Sequence, residues 1–85
     1  MADEPKKLGV VTHYYPKVGV GIVRLDDDLS LGTRLKFQGK TTDFEQEVSQ
    51  MQFDHKDIEM GKKGQEVGIK LGNKVREGDV AYLTQ

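Results

Sequence analysis

Apolar positions along this chain come in short alternating runs, set apart by glycine, proline and small polar residues. The clearest run is Thr33 to Gln38. Leu35 and Phe37 share one parity there and Arg34 and Lys36 the other, the period of two expected of a strand with one buried face. Leu8 to Tyr15, rich in Val, Thr and Tyr, reads as a first strand. After a turn at Pro16-Lys17, Val18 to Leu25 reads as a second, with Val18, Val20 and Ile22 on one face and Gly19, Gly21 and Val23 on the other. Glycines inside a strand mark a bend, a bulge or a close backbone approach. Phe44 to His55 reads as one long strand: Phe44, Gln46 and Val48 share one parity, Met51 and Phe53 the other, and a bulge near Ser49-Gln50 reconciles them. Glu66 to Leu71 points Val67, Ile69 and Leu71 inward, and Asp79 to Thr84 does the same with Val80 and Tyr82. No segment keeps a long 3.6-residue apolar period, so no long helix is expected.

Six short antiparallel strands bury one face best by closing on themselves. The expected fold is therefore all-β: a single closed six-stranded antiparallel Greek-key barrel over residues 8–85, preceded by a flexible polar tail at residues 1–7. The expected core is Val10, Val20, Ile22, Leu25, Leu35, Phe37, Val48, Met51, Phe53, Val67, Ile69, Val80 and Tyr82. Asp57 is expected to cap a short turn over residues 58–60, and Gly61 and Gly64 to supply positive φ to the turn Gly61-Lys62-Lys63-Gly64.

Composition narrows the function. Eighty-five residues allow one domain. A core this small contributes a net stability on the order of 3–5 kcal/mol and leaves little room for a deep catalytic cavity. That balance favours a binding module over an enzyme. The chain has no cysteine, which excludes disulfides, thiolate metal sites and cysteine nucleophiles. No run approaches the ~18 apolar residues of a membrane span, and Met1 to Lys7 lacks the apolar stretch of a signal peptide. A cytoplasmic protein without a membrane partner is expected.

The formal net charge is −1, but the charges are segregated. Residues 33–42 carry Arg34, Lys36 and Lys40 with no acid. Residues 60–76 carry Lys62, Lys63, Lys70, Lys74 and Arg76 against Glu66, and residues 43–59 carry six acids against Lys56. If the basic stretches share a face, these eight cations, with Tyr14 and Tyr15 stacking on bases, form a candidate nucleic-acid surface. A mixed solvated surface is the plain alternative. Catalytic chemistry is sparse. His13 and His55 are the only histidines, and nothing beside them has metal-ligand spacing. Glu45 and Glu47 share a strand face, a pattern that a solvated surface explains. Ser30 and Ser49 lack a nucleophile-elbow context. No catalytic residue, metal or cofactor is expected.

Several segments, taken in order, resemble the second-domain barrel of translational GTPases such as elongation factor Tu and initiation factor two. They are Ser30 to Gly39, Val48-Ser49-Gln50-Met51, Ile58 to Gly68 with its glycine turn leading into Val67-Gly68, and Lys74-Val75-Arg76-Glu77-Gly78-Asp79-Val80. The chain is most similar to the small translation elongation factor-like proteins, which are that barrel alone. A related barrel ends the peptidase U32 family, whose better-understood members act in RNA modification. The resemblance implies a non-catalytic module linked to translation, with tRNA or ribosomal RNA as partner. Its alternative is an adaptor that docks a larger protein, for example a U32-type enzyme. Gly61-Lys62-Lys63-Gly64 lacks the spacing of a phosphate-binding loop and precedes a strand, so neither nucleotide binding nor GTPase activity is implied. Tyr15-Pro16-Lys17-Val18 has no clear counterpart in the family.

Overall fold

The structure, a computed structural model, describes residues 6–83. Most of the expected tail, and Thr84 of the last expected strand, lie outside the described residues. The strands are β1 (Lys6–Tyr15), β2 (Val20–Leu25), β3 (Leu29–Ser30), β4 (Arg34–Gln38) and β5 (Asp43–Glu47), then β6 (Met51–Phe53), β7 (Lys56–Asp57), β8 (Met60–Gly61), β9 (Glu66–Lys70) and β10 (Val80–Leu83). No helix occurs among the described residues, so none there is long and apolar enough to cross a membrane. Eight strands form one antiparallel sheet in the order β5-β4-β10-β1-β2-β9-β6-β7, and β3 pairs with β8 separately.

The sheet rolls around one core but its ladder does not close. β5 lies at the edge on β4, whereas β6 pairs with β9 at the far side. Only residues 48–50 join β5 to β6, which brings the two sides together. Val48 leaves the ladder there: its amide donates to the Thr33 carbonyl at 2.8 Å and its carbonyl accepts from Gly32 at 2.9 Å. A side chain bridges the gap. Gln46 Nε2 donates to the Lys70 carbonyl at 2.8 Å, and its Oε1 accepts from the Gly72 amide at 2.8 Å. The closed six-stranded barrel expected from the sequence is thus corrected to a rolled, open sheet with a small second sheet.

The core holds Leu25, Leu35, Phe37, Val48, Met51, Val67 and Ile69, as expected, and also Leu8, Val11, Val23, Leu29, Leu71, Val75 and Ala81. Val10, Val20, Ile22, Val80 and Tyr82 are corrected to half-buried positions, and Phe53 to an exposed one. The reasons are local. The β1 ladder slips register between Lys7 and Gly9 and again between Val11 and His13, so Leu8 and Val11 both reach the core. In β2 the inner face belongs to Gly21, Val23 and Leu25. Gly21 is the close approach its glycine suggested, since a Cβ there would stand 2.7 Å from Leu71 Cδ1. In β10 the small Ala81 faces in.

Two further expectations change. The long strand from Phe44 to His55 breaks into β5, β6 and a hairpin turn at Asp54-His55, and Asp57 lies in β7. Gly61 has no positive φ; it lies in β8 against Leu25, while Gly64 does adopt positive φ.

Candidate docking surface

Because β2 turns Gly21, Val23 and Leu25 inward, it presents Val20 and Ile22 on the outer face of the sheet. Across the ladder Ile22 stands opposite Gly68 of β9. A Cβ at Gly68 would lie 3.1 Å from Val20 Cγ1 and 3.5 Å from Ile22 Cδ1. The absent side chain therefore leaves a depression with two β-branched walls, of about 390 Å³. A narrower extension of about 130 Å³ continues past Gln50 to Lys70.

The turn after β1 forms one wall. Tyr15 is 49% exposed and Val18 55%, both large apolar side chains that face solvent. Backbone bonds from Val18 and Gly19 to the Tyr15 carbonyl, at 3.3 and 2.9 Å, shape this turn. Lys70 Nζ donates to the Val18 carbonyl at 2.7 Å and ties the turn to β9. The Tyr15 ring packs on His13 with centroids 4.4 Å apart.

Gln52 lines the opposite wall, and Asp54, His55 and Glu66 form the rim. Asp54 and His55 both adopt left-handed backbone, φ 55° and 64°, between the paired Phe53 and Lys56. A two-residue hairpin whose twist matches its strands requires this conformation, and Asp and His tolerate it better than most residues. The result sets a carboxylate and an imidazole at the mouth of the groove. Asp54 and Glu66 make no ion pair with a described residue. Arg24 stands opposite Glu66 in the β2–β9 register. The sequence reading missed this site because it assigned Val20 and Ile22 to the core. The signal that pointed to it was Gly68 itself, a glycine inside a strand.

The expected nucleic-acid residues lie on several elements. Arg34 Nε bonds Glu45 Oε1 at 3.0 Å, and Lys36 Nζ lies 3.8 Å from Asp43, so neighbouring β5 supplies the acids that pair β4. Lys40 is exposed in the following loop. Strands β10, β1 and β2 separate β4 from β9, which carries Lys70. Lys62 and Lys63 lie in the turn before β9, where their backbone amides donate to Gln65 Oε1 and Asp28 Oδ1 at 2.8 and 3.0 Å. Lys74 and Arg76 are exposed in the loop before β10. Tyr14 packs against the core and Tyr15 lines the groove.

The Arg76-Glu77-Gly78-Asp79 segment is a structural turn. The buried Asp79 accepts from the Arg76 amide at 2.8 Å, and Gly78 takes φ 93°. The Gly78 amide donates to Val11, and the Val11 amide to Asp79, each at 2.8 Å, docking the turn on β1. At the start of β1, Lys6 donates to the Asp27 carboxylate; this bond, helped by the Asp28 amide, holds that carboxyl below the usual aspartate range. Among the described residues no three His, Asp or Glu side chains converge as metal ligands would.

No protein-family model matches the chain. An uncharacterized protease of Methanocaldococcus jannaschii is 46% identical over 78 residues, 91% of this chain. The chain spans 19% of that relative's length. Among solved structures, the C-terminal domain of a Geobacillus thermoleovorans protein classed as a U32 peptidase matches with a TM-score of 0.88. It shares 17% identity, over 94% of this chain and 93% of that one. Its selenomethionine variant matches at 0.86 with 18% identity, over 91% and 98% of the two chains. At that identity the likeness is one of fold.

Proposed function

We propose that the chain is a non-catalytic docking module that serves a larger enzyme of the U32 peptidase kind. One observation carries this reading: 91% of the chain corresponds to only 19% of a protein named as a protease. In such a relative the module is a minor part of a longer chain, which fits catalysis carried by the rest of that chain. The solved neighbours support the same division, because each is a separate C-terminal domain of a peptidase-class protein. The groove over Gly68 adds a surface suited to binding, with an apolar floor and a polar rim. The relative and the solved neighbours that the chain matches are a protease and the C-terminal domain of a peptidase-class protein. The pairing of Arg34 and Lys36 with acids of β5 also leaves less free positive charge for RNA than the sequence promised.

The reading is tested by affinity capture with the full 85-residue chain, with and without nuclease. One protease-class polypeptide that persists after nuclease, in constant proportion to the bait, supports it. Partners recovered only while RNA is intact overturn it in favour of an RNA-associated, translation-linked module.

A further inference from the structure

We infer that the groove over Gly68 takes one apolar side chain of an extended polypeptide segment, and sets a neighbouring lysine or arginine of that segment against Asp54 and Glu66. The inference rests on the docking reading and adds the face and chemistry that docking uses.

Shape is the first argument. The missing side chain at Gly68 lets Val20 and Ile22 settle low over the strand, and their branched Cβ atoms restrict their rotamers, so the depression has a fixed apolar floor. Such a depression exists before the partner arrives, which lowers the ordering cost of binding. Continuity is the second. The main depression runs into the extension beside Gln50 and Gln52, so the groove is longer than one side chain and follows the strand direction. Amide side chains along its wall suit the alternating donors and acceptors of an extended backbone.

Charge is the third argument, and it selects the class of partner. The acidic rim residues Asp54 and Glu66 stand at one end without an ion pair to any described residue. At the other end the Lys70 ammonium is already bonded to the Val18 carbonyl. A cationic side chain beside an apolar one is complementary to the Asp54 and Glu66 carboxylates at the acidic end of the groove.

The test is selection of a random heptapeptide phage library on the immobilised full-length chain. The expected result is enrichment of peptides that pair an aliphatic or aromatic residue with Lys or Arg. Glu66→Lys should reduce recovery of those peptides at least tenfold, and Gly68→Ala should do the same by pushing Val20 outward into the depression. Amide NMR dispersion checks that each variant is folded; if Gly68→Ala is not, Glu66→Lys decides alone. No enrichment, a consensus without a basic residue, or peptides retained equally by Glu66→Lys would overturn the inference. The two readings fail separately. Capture of the enzyme by wild type and Glu66→Lys alike removes the groove and leaves docking. Peptide selection without any captured enzyme removes docking and leaves the groove.

Discussion

Gln46 and Lys70 are joined across the seam of the rolled sheet. The Gln46 amide nitrogen donates to the Lys70 carbonyl while its oxygen accepts from Gly72, each at 2.8 Å. One side chain thus occupies the place where a strand pairing would otherwise close the ladder. Gln46→Ala leaves both backbone groups without these partners. For a half-buried site the expected loss is about 1–2 kcal/mol, which in a domain this size lowers Tm by roughly 4–8 °C per kcal/mol. Thermal unfolding followed by circular dichroism checks it, and an unchanged Tm means that the seam does not depend on Gln46.

Phe37 and Phe53 should respond differently to truncation. Phe37 is fully buried and stacked on Phe44 with ring centroids 5.2 Å apart, whereas Phe53 is 36% exposed. Phe37→Ala is expected to cost ~3–5 kcal/mol, close to the whole stability of the domain. Phe53→Ala should cost about 1 kcal/mol or less. Urea titration of the two variants ranks them; equal losses contradict the core described here.

Gly39 and Asp79 are coupled. A Cβ on Gly39 would stand 2.0 Å from Asp79 Oδ1, and Asp79 Oδ2 holds the Arg76 amide. Gly39→Ala should cost about 1–3 kcal/mol through overpacking. Asp79→Ala should cost about 0.5–2 kcal/mol through loss of its bond to the turn. The double variant should lose less than the two added together, because removing the carboxylate relieves the clash. Strict additivity in a double-mutant cycle would show that the two sites do not touch.

Acid should release the contact between Lys6 and Asp27. The folded carboxyl titrates below its ordinary value, chiefly because Lys6 donates to it. A depressed carboxylate adds stability that is fully present above the unfolded-state value, about 3.9, and is lost as pH falls through the lower folded value. Carboxyl NMR titration should place Asp27 below the ordinary aspartate value of about 3.9. Asp27→Asn should flatten the acid limb of the stability curve. An Asp27 that titrates at the ordinary aspartate value contradicts the contact.

Clean alternation made β4 and β9 legible: Leu35, Phe37, Val67 and Ile69 are core residues in both readings. Side-chain size misled the reading in β2 and β10. There Val20, Ile22, Val80 and Tyr82 are the larger residues but are only half-buried, while Gly21, with Leu71 and Val75 beside it, and Ala81 face in. The apolar switch near Ser49-Gln50 was visible, but a bulge and a change of partner strand give the same pattern. For the site, Tyr15 was singled out, although for base stacking. Val20 and Ile22 of the groove are hidden by the ordinary rule that branched apolar residues belong inside.

The most direct test of the docking account is an amide NMR titration of the labelled full chain. One arm adds the nuclease-resistant enzyme recovered by capture, the other total tRNA at near-physiological salt. The account predicts that the enzyme shifts or broadens Val20, Ile22 and Gly68, while tRNA leaves the spectrum unmoved. A response to tRNA centred on residues 34–40 and 62–76, with none to the enzyme, would contradict it.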